Sequence, residues 1–264
     1  MIIIKTEKEI AAMREGGKKL AQILKKLASE VKPGISTMDL ENMACDLIKK
    51  AGGRPSFKGY KTMLETKAFP TALCISINNE IVHAPAIPAR KLNEGDIIGV
   101  DVGMEYPYSK DARGYYTDMA ATIGVGKISK EAKKLMQVTE KSLKLAIKKV
   151  KPGNTINDIG KTVQKYVEAE GFSVVRDLVG HGVGTAVHED PQVPNFEIIE
   201  KKVKKIFLEP GMTIAIEPMV NLGSAEVEGL DDGFTIVTSD GSLSAHFEHT
   251  VAVTKKGCEI LTKI

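Results

Sequence analysis

Four acids stand in otherwise apolar stretches of this chain, each where an unpartnered carboxylate would be costly to bury. GMTIAIEPMV carries Glu217, EGDIIGVD ends at Asp101, TDMAATIGV opens near Asp118, and FEHTVAVT contains Glu248. Asp101 lies six residues after Gly95, and Glu217 six after Gly211, so the acids recur at matched places. A single acid on a strand is ordinarily edge decoration or half of a salt bridge. Four at repeated positions, with no Lys or Arg inside the strand cores, fit a cation better, because like charges brought together repel and raise one another's pKa. Histidine adds to the set. GHGVGTAVHEDPQVPN places His181 and His188 seven apart in a glycine-rich stretch, unlike the i, i+4 helical pair of HExxH proteases. A regular strand would turn the two rings to opposite faces. A bend at Gly182 and Gly184 would aim both at one site, one at metal and the other at substrate. His83 follows a further apolar strand. His246 and His249 flank Glu248, should face away from it on a regular strand, and read as structural.

The elements that must position these residues are written twice. VKPGISTMDL (31–40) and VKPGNTINDI (150–159) stand 119 residues apart, and at the same offset Gly52 falls on Gly171. In each copy a helical pattern stops at Lys-Pro-Gly, Ser36 or Thr155 sits at an N-cap position, and a second helix runs to glycine. The apolar, β-branched runs bounded by glycine read as neighbouring strands. The expectation is an α/β (α+β) fold, one catalytic domain over 1–264. Its two related halves, roughly 1–130 and 131–264, should converge the four acids across an approximate two-fold axis.

Composition is that of an ordinary globular domain: 264 residues, 42% hydrophobic and 27% charged. A net charge of +3 gives no argument for nucleic acid. Lys-rich helix faces would tolerate a polyanion such as the ribosome surface, although solvated faces are the plainer reading. Cys45, Cys74 and Cys258 have no pairing rhythm, which suits a reducing compartment. MIIIKTEKEIAAM is too short an apolar run for a signal peptide, and no segment has the length of a membrane span. A cytoplasmic location is expected, with no membrane partner and a monomeric state.

The runs CISINNEIVH, GDIIGVDVG, GHGVGTAVHEDPQV, EPGMTIAIEPMVN, DGFTIVTSDGSLSAHFEHTVAVT and GCEILT resemble those of type I methionine aminopeptidases, over nearly the whole chain. That resemblance implies the pita-bread fold, a central antiparallel sheet covered by helices. It also implies two divalent metal ions (Co, Mn, Fe or Zn) on Asp101, Asp118, His181, Glu217 and Glu248, with Asp118 and Glu248 shared between them. By the same resemblance Glu217 is the general base toward a water bridging the ions. His83 and His188 contact the peptide at the scissile bond, and Tyr60, Phe69, Cys74 and Phe234 form the methionine pocket. The implied substrates are the N-termini of nascent, deformylated polypeptides with a small second residue. Two insertions depart from the pattern, one around 61–68 and one around 107–112. Val187 and Phe234 stand where larger aromatics are common. Rival readings are an aminopeptidase P or proline dipeptidase of the same fold, and a binding module that retained the fold without activity.

Overall fold

The computed structural model describes residues 1–61, 67–199 and 205–263. Of the insertion at 61–68, residues 62–66 lie outside the described residues.

Four helices form where the caps call for them: α1 (Glu7–Glu30), α2 (Thr37–Lys50), α3 (Lys130–Ile147) and α4 (Ile156–Ala169). The Ser36 hydroxyl accepts from the Asp39 amide while the Asp39 carboxylate accepts from the Ser36 amide. Thr155 and Asp158 repeat that reciprocal cap on α4. Such a cap satisfies amides that the first turn would leave bare. Thr155→Ala should therefore lower stability by about 1 kcal/mol, read from the midpoint of urea unfolding at unchanged slope. The turn glycines Gly34 and Gly153, at φ 89° and 90°, occupy the left-handed region just before these caps.

The helices cover two groups of strands, each with its own core. Leu20, Leu27, Leu40 and Ile48 of α1 and α2 pack with Ile75, Val100 and Val102. Leu135, Val138, Ile159 and Val163 of α3 and α4 pack with Ile214, Ile216 and Val251. The first sheet is built on the strand Ile97–Tyr106, with Tyr115–Gly124 along one edge and Leu73–Ile77 and Arg54–Pro55 on the other. The second runs in the order Cys258–Ile260, His249–Val253, Thr213–Ile216, Gly180–Gly182, Glu189–Val193. Pairing among the described strands is antiparallel.

By its hydrogen bonds the antiparallel core expected from the sequence is divided among sheets of four, three, three and five strands, and the larger two abut. At the seam the Glu248 amide donates to the Ala120 carbonyl at 2.9 Å. The Thr250 hydroxyl accepts from the Asp118 amide and donates to the Asp118 carbonyl. Thr122 does the same for His246. Thr250 thus stitches the two larger sheets together beside the acids, and Thr122 ties the first of them to the three-stranded sheet that holds His246. The insertion at 107–112 is exposed at the tip of the hairpin joining Tyr106 to Tyr115.

Candidate metal centre

Strand register brings the acids together in pairs. Asp101 lies opposite Ala120 and Gly103 opposite Asp118, so Asp101 and Asp118 are diagonal neighbours on one face. Asp101 sits mid-strand, rather than at a strand end as EGDIIGVD suggested, because pairing with Tyr115–Gly124 carries the strand on to Tyr106. In the second sheet His249 pairs with Ile216, and the same register one step on sets Glu248 against Glu217. Glu217 is one residue past its strand: Thr213–Ile216 ends, Pro218 follows, and Met219–Asn221 joins a different sheet. The Asn195 side-chain amide donates to the Glu217 carbonyl at 3.0 Å and fixes that break.

Between His181 and His188 the chain turns at Gly182–Gly184, with Gly184 at φ 147°. The turn brings the two rings edge to face at 4.4 Å, so the expected bend is present. His181 Nδ1 lies 2.8 Å from the Gly182 carbonyl, which can only accept. Nδ1 therefore carries the proton and Nε2 is left as a ligand atom, 3.5 Å from Glu217 Oε1. One ligand atom from each of Asp118, His181 and Glu248 lies within 4.8 Å of the others.

The electrostatics of this cluster call for a cation. Burial, then the neighbouring charge of Asp118, pushes the Asp101, Glu217 and Glu248 carboxyls well above their usual range. Burial pushes Asp118 up to about 7 and His181 down to about 4. Asp101 Oδ1, Asp118 Oδ1, Glu217 Oε1 and Glu248 Oε1 are buried without a hydrogen-bond partner. No Lys or Arg pairs with any of the four among the described residues. Buried oxygens aimed at a shared space, with one imidazole nitrogen, are the donor set of a hard or borderline divalent metal. The residues present fit such an ion.

Above the cluster opens a cavity of about 740 Å³. Tyr60, Phe69, Cys74, His83, His188 and Phe234 line it together with Asp101, Asp118, His181, Glu217 and Glu248. Residues 107–112 do not line it, which separates that insertion from the cavity. One end is an aromatic nest in which Phe69 meets Phe57 and Phe234 edge on, at 6.5 and 5.4 Å, with Cys74 and Val187 closing it. Cys74 faces Asp101 across the sheet, so the nest adjoins the acids. His188 Nδ1 is 2.8 Å from the Tyr60 hydroxyl. His83 is held at φ 61°, a strained backbone for a non-glycine residue of the kind that gathers at functional sites. The Arg90 guanidinium maintains the bend that presents it, donating to the Ile75 and Pro85 carbonyls and pairing with Glu80.

His246, expected to be structural and to face away from Glu248, lies near another of the acids. Its Nε2 lies 3.8 Å from Glu217 Oε2, and the residue is buried. Strand pairing stops at His246 and resumes at His249, so a regular alternation does not run unbroken between them. His249 does lie away from the acids, with Nδ1 3.0 Å from the Thr262 hydroxyl. Phe57 and Asn195 escaped the sequence reading. Phe57 precedes Gly59-Tyr60 closely enough to have been considered, whereas nothing local marks Asn195.

Comparison with known proteins agrees with this geometry. The description of metallopeptidase family M24 matches residues 11–255. A methionine aminopeptidase of Clostridium perfringens is 49% identical over 265 residues, covering 100% of both chains. Methionine aminopeptidase 1 of Bacillus subtilis is 47% identical, again over 100% of both. The crystal structure of a methionine aminopeptidase from Thermotoga maritima superposes with a TM-score of 0.90 at 42% identity, covering 100% of each chain. Matched almost end to end, with the α/β pita-bread fold of these relatives, the chain belongs to metallopeptidase family M24 and, within it, to the methionine aminopeptidases.

Proposed function

We propose that this chain removes the initiator methionine from newly made polypeptides whose second residue is small, using two divalent cations held by Asp101, Asp118, His181, Glu217 and Glu248. The observation that carries this reading is the set of four partnerless carboxylate oxygens beside an aromatic and sulfur-lined nest. When bound, such a pair of cations supplies an activated water and an electrophilic contact for the scissile carbonyl. Asp118 and Glu248 would serve both cations, with His181 and Glu217 completing one position and Asp101 the other.

Glu217, on the cavity wall beside the cluster, accepts the proton of the attacking water and passes it to the leaving amine. His83 and His188, on the cavity wall, donate to the carbonyl oxygen as it gains charge. The nest of Phe57, Tyr60, Phe69, Cys74, Val187 and Phe234 receives the thioether, a soft group suited to aromatic edges. The substrate's free α-amine meets the acid-rich floor, so a formylated terminus should resist cleavage. One catalytic domain of two related halves, about 1–130 and 131–264, accounts for the matched caps and turn glycines. The three thiols are free, in keeping with a cytoplasmic monomer. Among the described residues no helix is long and apolar enough to cross a membrane. The ribosome surface, where such termini emerge, is the expected place of encounter.

Release of Met from Met-Ala-Ser, set against a Xaa-Pro peptide, tests the reading: the first should be cleaved and the second spared. No release from the first would overturn it. His188→Ala should lower kcat roughly 10²- to 10³-fold, the usual loss when one donor to developing charge is removed. Metal content should be unchanged by elemental analysis.

A further inference from the structure

Lys5 is buried from solvent, and its side chain ends on that of Glu189, which is also shielded from solvent. A charge pair taken out of water is costly unless its remaining atoms are satisfied, so its place needs a reason. The reason lies in the other oxygen of Glu189. Glu189 Oε1 accepts from the Thr185 amide at 2.5 Å, the Thr185 hydroxyl at 2.7 Å and the Ala186 amide at 2.9 Å. One carboxylate thus closes the arch from Gly184 to His188 on one side and grips Lys5 on the other.

The arch carries two residues of the cavity. Val187 is buried in the aromatic nest, and His188 meets Tyr60 and the His181 ring. At its start the Tyr116 amide donates to the Gly184 carbonyl at 2.7 Å. Gly184 sits at φ 147°, and a Cβ there would fall 2.6 Å from Lys5 Cε, so glycine makes room for the lysine stem. Lys5 is itself fixed, its amide donating to the Gly211 carbonyl at 2.8 Å. Apart from a bond from Lys5 Nζ to the Ile3 carbonyl at 3.3 Å, these side-chain hydrogen bonds lead to the arch, and the Lys5 amide leads to the turn before Thr213–Ile216.

We infer that the buried Lys5–Glu189 ion pair sets the shape of the 184–188 arch and thereby aims His188 and Val187, making Lys5 and Glu189 positioning residues of the peptidase site. This rests on the methionine aminopeptidase reading and extends it to the N-terminal segment, 184 residues away in sequence. The test compares the parent with Lys5→Met, Glu189→Gln and Glu189→Ala. Steady-state kinetics on Met-Ala-Ser and Leu-Ala-Ser would be joined by the ring resonances of His188 in metal-free protein. Lys5→Met and Glu189→Ala should lower kcat on Met-Ala-Ser by about 10- to 100-fold, the scale of an ångström's misplacement of a reacting group. Both should narrow the preference for Met over Leu and shift the His188 resonances while leaving those of His249 in place. Glu189→Gln keeps an acceptor for Thr185 and Ala186 and should recover part of the loss. Folded variants with parental kcat, KM, Met-to-Leu ratio and His188 resonances would overturn the proposal, even at a lower melting temperature. Should Glu189→Ala fail to fold, Lys5→Met decides alone. A parent inactive on Met-Ala-Ser would overturn the peptidase reading instead, and the His188 resonances would still judge the pair.

Discussion

Glu217→Gln, assayed at saturating metal, is expected to lower kcat on Met-Ala-Ser by roughly 10²- to 10⁴-fold, the range lost with a general base. Glutamine keeps the shape of the side chain and an oxygen toward the metal position, but its amide cannot take up a proton. The surroundings make the loss specific. Glu217 is past the end of its strand, tethered by Asn195 at its backbone and flanked by His181 and His246 at 3.5 and 3.8 Å. Neither imidazole is placed to replace it as base: His181 Nε2 is the proposed metal ligand, and His246 has no place on the cavity wall. The circular dichroism spectrum and the Kd for a Met-containing product should change little. A variant retaining more than a tenth of parental kcat would show that the proton goes elsewhere.

Metal uptake is expected to release protons, and metal affinity to rise steeply with pH between about 5.5 and 7.5. The sign follows from the cluster. Burial raises Asp118 to about 7 and the Asp101, Glu217 and Glu248 carboxyls above their usual range, so the metal-free site holds protons near neutrality. A cation must displace them, and each proton displaced steepens the affinity by about tenfold per pH unit. His181, pushed down to about 4, is already neutral and contributes none. Stability should follow the same linkage. A carboxyl whose folded pKa is raised favours the folded state fully below its unfolded pKa, and that contribution fades as pH rises through the folded value. The metal-free protein should therefore lose melting temperature from pH 5.5 to 7.5, and the gain on adding metal should widen over that range. Calorimetric titration in two buffers of different ionisation enthalpy counts the protons. Uptake without proton release would contradict the electrostatic account.

The parts of this molecule legible in its sequence are those governed by neighbours in the chain. Ser36 with Asp39 and Thr155 with Asp158 form capping boxes from residues three apart, so both helix starts could be read directly. The matched spacing of Asp101 and Glu217 after Gly95 and Gly211 marked them as a pair, and two glycines foretold the bend between His181 and His188. What sequence could not convey are contacts made where separate sheets meet. The Thr122 and Thr250 stitches depend on a register between elements more than 100 residues apart. The approach of His246 to Glu217 was not legible because its strand ends before Glu248. Lys5 looked like any other lysine, since its burial depends on an arch completed by Gly184 and Glu189.

Anomalous scattering from crystals grown with a divalent metal tests the central claim most directly. Two peaks should lie within coordination distance of Asp118 and Glu248, one also touching His181 and Glu217 and the other Asp101. Density showing these oxygens bonded to one another, to lysine or to arginine, with the metal bound elsewhere or absent, would contradict it.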